Sequence, residues 1–548
     1  MAPGKAKLDP VDRTTADAVF YANVITLEEG SPQAKAVAVA DGQIVYVGDR
    51  AGAKTWIDED TVSHEWNKST LFPGFVDAHG HLMGLGRSLS GLNLVGTTSY
   101  KAVLKKLRDW AEDHPGAWIL GRGWDQNDWK KKKFPTRTKL DKVVRDRPVA
   151  LTRIDGHALL VNSKALQIAG ITRDTKDPEG GRILRSKSGE PTGVLIDRAI
   201  DLVQEHIPAV DDRARRKHAD RAIDLLLKVG LTAIHDAGTG DADLTTFEAM
   251  AQEGALRVRV YAMIDGTAES GGQLMQWAPR VGLYDHRLTV RAVKLFADGA
   301  LGSRGAWLSE DYSDDPGNTG LRLTSPSELM AKTRRAHEQG YQVAIHAIGD
   351  AAARTALDTY EAVFARTFAK PDAPKPRPRL EHAQVVEPSD RMRMSAMKVV
   401  ASMQPIHATS DMPWAHDRLG PKRLEWAYSW RSMLDNGVPT AFGSDTPVER
   451  PDPLLGIYAA ATRQDLKGRP KGGWTAKERV SVKEAVLAYT AGPAWAAFEE
   501  DVRGTITVGK LADFTVLDRN ILKIPPKQLL KTKVVATVVG GVVEHSTL

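Results

Sequence analysis

Leu71-Phe72-Pro73-Gly74-Phe75-Val76-Asp77-Ala78-His79-Gly80-His81 is the stretch from which the rest of this chain can be read. Phe72 to Val76 is apolar with a Pro-Gly lead-in, and the run ends on two histidines separated by one residue. Side chains alternate along a strand, so residues i and i+2 share a face. His79 and His81 therefore point the same way from the end of a buried strand, a natural start for a metal site. Alone, such a pair is more often packed or solvated near a turn. Its meaning depends on the partners supplied elsewhere.

Beyond it, β-type runs alternate with amphipathic helical runs, the signature of a parallel α/β fold. The β-type runs are Phe75–His81, Leu231–Asp236, Leu256–Met263, Leu288–Phe296, Tyr341–His346, Arg377–His382, Val399–Pro405 and Pro439–Asp445. Helical patterns at 214–229, 244–253, 327–339, 351–368, 390–397 and 430–436 separate most of them. Eight parallel strands with helices outside is the count of a (β/α)₈ TIM barrel. The interval from 84 to about 212 is too long for one crossover and has its own strand and helix patterns, so it reads as an inserted subdomain between the first and second barrel strands. Within it, Gly180–Val194 reads as a hairpin around Ser188-Gly189.

The two ends are β-rich. Val19–Leu27 and Ala36–Gly48 alternate, with Asp41-Gly42 as a hairpin turn, and Gly504–Leu517 and Val534–Glu544 repeat the pattern around Gly540-Gly541. A composite β-sandwich from residues 16–70 and 500–548, flanking a barrel at 71–499, reconciles them; an independent C-terminal β-domain is the alternative. Residues 1–15 read as a flexible lead.

Composition narrows the chemistry. The chain has 548 residues, 26% of them charged, and a net charge of +6, with no apolar stretch long enough for a bilayer. Lys130-Lys131-Lys132-Lys133 has no nucleic-acid module beside it and reads as a solvated loop. There is no cysteine, which excludes disulfides, thiolate nucleophiles and Cys-ligated zinc; any metal must sit on His and carboxylate. The N-terminus has no apolar signal region, and cytoplasm and periplasm fit equally.

The carboxyl ends of the expected strands carry polar residues. The first ends in His79 and His81, the fifth in His346, the sixth in His382 and the eighth in Asp445; Lys294 lies on an otherwise apolar face of the fourth. Barrel strand ends converge on the C-terminal mouth, where such enzymes keep their active sites. Singly these residues have ordinary structural explanations; together they point to one centre. His235, at the end of the second strand, reads as structural.

With Pro73–His81, Lys294, His346, His382 and Gly443-Ser444-Asp445 in place, the sequence resembles the metal-dependent amidohydrolase superfamily. Within it the chain is similar to the YtcJ-like group, amidohydrolase family 3, which includes N-substituted formamide deformylases. Gly121–Gln126, Asp155-Gly156-His157-Ala158, Asp298–Arg304, His346–Asp350, Arg379–His382 and Gln404–His407 extend the resemblance, which runs from about 17 to 545. It implies one or two divalent metals, usually zinc. His79, His81 and Asp445 would hold the more buried ion and His346 and His382 the second, with Lys294 bridging two Zn²⁺ as an N-carboxylated lysine. A lysine ammonium offers only donors, whereas a carbamate offers two oxygens to metals roughly 3.5–4 Å apart.

The implied activity is cleavage of a C–N amide-type bond (N-acyl, N-formyl or anilide-like) in a small organic substrate by a metal-activated hydroxide, with Asp445 as general base and acid. His157, His407 and Arg304 are candidate substrate contacts, and Trp124 and Asp125 candidate pocket residues from the insert. Ester or cyclic-amide hydrolysis and deamination fit the same site; a non-catalytic binding or regulatory barrel is the other-class alternative. The expected partner is a small-molecule substrate, with no nucleic acid and no membrane, and a homodimer is the generic expectation for the superfamily.

Overall fold

The computed structural model describes residues 6–267, 275–369 and 375–548. Eight strands form the central sheet: β1 (Phe75–Gly80), β2 (Leu231–Thr239), β3 (Arg259–Asp265), β4 (Leu288–Phe296), β5 (Gln342–Ala347), β6 (Arg379–His382), β7 (Val400–Met403) and β8 (Thr440–Phe442). These eight pair in chain order, every pair parallel, and a ninth short strand, Arg280–Gly282, pairs antiparallel with β4. Helices cover one face and side chains fill the other, so the eight strands are buried throughout and read as apolar runs rather than alternating ones. β3 starts at Arg259 rather than Leu256, because the preceding amides are spent on turn bonds, Leu256 to Met250 O and Arg257 to Ala255 O.

Helix Asp212–Lys228 shows how the outer layer is specified. Asp211 caps it by accepting from Ala214 N, and Ala219, Ala222, Ile223, Leu226 and Leu227 form its buried stripe. Gly230 follows at φ +88°, the left-handed residue that turns the chain into β2.

The barrel closes between β1 and the segment after β8. Asp445 N donates to His79 O at 2.7 Å and His81 N to Thr446 O at 2.8 Å. Asp77 fastens the same seam, accepting from Ser444 N at 2.9 Å and Ser444 Oγ at 2.5 Å. Burial pushes the Asp77 carboxyl up to about 6 against those hydrogen bonds. A Cβ on Gly443 would stand 2.5 Å from His79 N and 2.7 Å from Asp77 Oδ1. Gly443→Ala should therefore open the seam and cost about 1–3 kcal/mol, the usual range for overpacking, read as a lower thermal midpoint. An unchanged midpoint would show that the seam is slack.

Strands from both termini share one sheet, in the order Val542–Ser546, Val534–Val539, Phe514–Leu517, Val62–Pro73, Ala18–Ile25, Gln33–Ala40, Gln43–Gly48. Hydrogen bonding runs unbroken through it, and the far edge is tied back by Ile44 N to Lys510 O at 2.8 Å. The two layers of the sandwich are thus one curled sheet, and Phe20, Val37, Phe514 and Val538 meet in its core. Of the lead, residues 1–5 lie outside the described residues, and Ala6 is buried against Val502 and Leu511.

The interval after β1 forms a separate six-stranded sheet, ordered Gly181–Arg185, Pro191–Asp197, Ala158–Val161, Val149–Arg153, Ile119–Trp124, Leu92–Asn93. Apolar clusters cover both its faces. Its turns at 125–127 and 155–157 approach the barrel mouth, where Asn127 Nδ2 donates to Gly302 O at 3.5 Å. Among the described residues no helix is long and apolar enough to cross a membrane.

Candidate metal centre

Barrel closure sets His79, His81 and Asp445 side by side, although His81 and Asp445 lie 364 residues apart. His81 Nε2 stands 3.0 Å and His79 Nε2 3.5 Å from Asp445 Oδ1. Potential ligand atoms of these three residues all lie within 4.8 Å of one another, as do those of His382, His407 and Asp445. Asp445 belongs to both groups. Its backbone is left-handed (φ 58°), as is that of His382 (φ 72°), so each strand end turns abruptly. That turn lets the neighbours Glu381 and His382 both serve the centre, which plain strand alternation would forbid.

Behind these residues stands a buried polar frame. His79 Nδ1 faces Glu381 Oε2 at 2.5 Å, leaving Nε2 for the mouth. Arg379 Nε donates to Glu381 Oε1 at 2.6 Å, and its remaining nitrogens reach Ala78 O (2.7 Å), Ser402 Oγ (3.1 Å) and His235 Nδ1 (2.9 Å). His382 Nδ1 faces Gln404 Oε1 at 2.9 Å. Lys294 Nζ lies 3.4 Å from His79 Nε2, and no carboxylate is within ion-pair distance of it among the described residues. His346 packs 4.4 Å from His382, ring to ring, with Nε2 toward Gly299 O at 3.4 Å.

Burial, with Lys294 nearby, pulls His79 down to about 4, opposed by Glu381 and Asp445. Burial and neighbouring positive charge hold His346 and His382 well below the usual imidazole range. Burial also pulls Lys294 down to about 8 against the pull of Glu381 and Asp445. It raises the Asp445 carboxyl, but hydrogen bonds from His407 and His81 outweigh it and keep the group well below the usual carboxylate range. The result is two neutral imidazoles, His79 and His382, beside an ionised carboxylate, with a third, His346, packed on His382 outside the two groups that share Asp445, a donor set that suits a divalent cation.

Residues 69–545 match the amidohydrolase family (Amidohydro_3). The chain belongs to the amidohydrolase family. YtcJ of Bacillus subtilis, itself named only as a candidate amidohydrolase, is 36% identical over 94% of this chain and 96% of its own. The N-substituted formamide deformylase of Arthrobacter pascens is 29% identical over 96% of this chain and 98% of its own. Among solved structures, an uncharacterized metal-dependent hydrolase from Pyrococcus horikoshii superposes with a TM-score of 0.75 at 28% identity, covering 93% of this chain and 99% of that one. This chain is thus a metal-dependent hydrolase of the amidohydrolase superfamily.

The residues expected as substrate contacts in this amidohydrolase separate into two sets. His407 lies at the centre, with Nε2 3.3 Å from Asp445 Oδ2 and Nδ1 3.4 Å from Glu449 Oε1. Burial opposes its charge, but those two carboxylates raise it to about 10. His157 Nδ1 faces Asp197 Oδ1 at 2.6 Å, and its ring lies 5.3 Å from that of His346. The other three do not face the centre as free groups. Trp124 is fully buried in the insert core, with Nε1 donating to Leu151 O at 2.7 Å, which corrects its placement as a pocket residue. Asp125 is taken by Arg153 at 2.5 Å, and Arg304 by Asp314 at 2.8 Å.

Arg379, Glu381, Gln404, Glu449 and Asp197 were missed as site residues in the sequence. The i, i+2 spacing of Arg379 and Glu381, two charges on one face of an apolar strand, was the available signal. Asp298 is a further buried carboxylate, raised to about 7 by burial while accepting from Gly349, Ile348 and Trp307 amides. It fastens the loops after β4 and β5 together.

Proposed function

We propose that this chain hydrolyses a C–N amide-type bond of a small organic substrate, with His79, His81 and Asp445 holding one divalent ion, zinc by preference. His346 and His382 would hold a second, with Lys294 as the bridge. The observation that carries this reading is the convergence of neutral, buried imidazoles on one ionised aspartate at a barrel mouth. The name of the deformylase relative favours a C–N bond over an ester. A buried lysine without an ion-pair partner supports N-carboxylation, in which the neutral amine bonds to the carbon of CO₂ and releases a proton.

A divalent ion bound here would supply a water acidic enough to ionise near neutral pH and an electrophile for the carbonyl. The chain's own residues do the rest. Asp445 accepts the proton of the attacking water and returns it to the nitrogen as the C–N bond breaks. Glu381, facing Nδ1, keeps His79 Nε2 unprotonated and aimed at the mouth. His407, charged between Asp445 and Glu449, places positive charge beside the oxygen that gains negative charge.

Protein purified without chelator should contain divalent metal and turn over members of an N-formyl, N-acyl and anilide panel once zinc is supplied. Chelation should abolish that turnover and re-addition restore it. Absence of bound metal together with no hydrolysis after zinc addition would sink the enzyme reading. Lys294→Ala should reduce metal content from two ions to one, whereas two ions retained would remove the bridge.

A further inference from the structure

The insert brings a cation to the mouth that the mechanism does not use. Arg122 lies near the end of strand Ile119–Trp124, partly exposed, and makes no ion pair among the described residues. Of its five donors, Nη2 serves Ile154 O at 2.7 Å, and Nε is buried with no hydrogen-bond partner. Arg153, on the next strand, is the contrast. It spends Nε on Gln126 at 2.9 Å and its remaining nitrogens on Asp125 and Asp155. The carboxylates of these two turns are therefore engaged, and Arg122 is left over.

Its position is fixed from two sides. Gly123, at φ +109°, lets the strand end pass under Val95, whose N a Cβ there would meet at 2.7 Å. Gly156, at φ +83°, sits against the guanidinium, so close that an added Cβ would lie 3.5 Å from Nη1 and Nη2. The next residue is His157, whose ring approaches His346. Arg122 thus stands beside the turn that faces the candidate metal centre, and Asp445 and Asp155 both act on it while burial pulls its pKa down. A desolvated guanidinium without an ion-pair partner among the described residues is costly, and the cost is relieved when an anion arrives.

We infer that Arg122 binds a carboxylate carried by the substrate, making the preferred substrate an amide whose non-reacting end is anionic. A planar carboxylate matches the guanidinium fork, and a single negative charge suits a site that already contains Asp155 and Asp445. His157, held at Nδ1 by Asp197, is the second donor at that end. The inference rests on the C–N hydrolase reading, so its test needs an arm that does not.

N-acetylphenylalanine and N-acetylphenethylamine differ only in the carboxylate. The zinc-loaded protein should favour the former by about 10- to 100-fold in kcat/KM, mainly through KM, as expected for one charge-assisted pair. Arg122→Met should abolish the preference and Arg122→Lys restore part of it, with thermal midpoints confirming folded variants. Equal use of both amides, or a preference that survives Arg122→Met, overturns the inference and leaves the hydrolase reading intact. Calorimetric binding of 3-phenylpropanoate against 3-phenylpropanol, on wild type and Arg122→Met, is the independent arm. Tighter binding of the acid that is lost in Arg122→Met supports the inference even if no amide is cleaved; no such loss overturns it.

Discussion

Asp445→Asn should lower kcat/KM for amide hydrolysis by about 10³-fold or more, because in the proposed mechanism one side chain both holds metal and moves the proton. Asparagine keeps the shape and one oxygen but cannot accept a proton or present an ionised group. The effect reaches further than the reacting water. His81 and His407 both bond to Asp445, and the two groups of potential ligands share it. Metal content should fall with activity, and the charge on His407 should lose half of its carboxylate support. Steady-state kinetics with metal analysis on the same sample checks both. Wild-type kcat/KM in the variant would remove Asp445 from the chemistry.

Arg379→Met is expected to be the most damaging change that touches no proposed ligand. Arg379 is fully buried and holds Glu381, His235, Ser402 and Ala78 O at once. Burial raises the Glu381 carboxyl, but Arg379 and His79 outweigh it and hold it well below the usual range. Without the guanidinium, that ionised carboxylate stays buried with His79 alone. Breaking a buried pair by removing one partner costs about 3–5 kcal/mol. Loosening the carboxylate that orients a ligand histidine typically costs 10- to 100-fold in metal affinity. The metal-free protein should therefore show a lower thermal midpoint, and a zinc titration should show weaker binding. Glu381→Gln separates the two effects, since it keeps the shape and a hydrogen bond to Arg379 while removing the charge that His79 needs. A stable Arg379→Met protein with wild-type zinc affinity would show that the frame is only packing.

The barrel was legible because its strands are buried on both faces and written as short apolar runs between helical stripes such as Ala219–Leu227. Turn chemistry placed hairpins at Asp41-Gly42 and Gly540-Gly541, where positive φ values are observed. Trp124 shows the limit. A tryptophan in a motif reads equally as pocket or as core, and only its zero exposure and its bond to Leu151 O place it in the insert core. Asp125 and Arg304 show a related limit, since a charged residue in the sequence does not reveal which opposite charge will pair with it, here Arg153 and Asp314.

The sequence by itself determined the parallel strand series, the β-rich character of the two ends and the set of polar residues that close strands, because each is carried by local periodicity and residue type, whereas the pairing of Phe514–Leu517 with Val62–Pro73 that joins the two ends is a tertiary contact. The tertiary structure alone decided how those residues face one another. Closure of β1 against the segment after β8 set His79 and His81 beside Asp445, and left-handed turns at His382 and Asp445 swung two side chains off their strand alternation. The Arg379–Glu381 frame and the guanidinium of Arg122, without an ion pair among the described residues, likewise depend on contacts between segments apart in sequence. Local patterns fix which face a side chain takes, and only long-range packing in a low-dielectric interior fixes which charges find partners and which are left waiting for one.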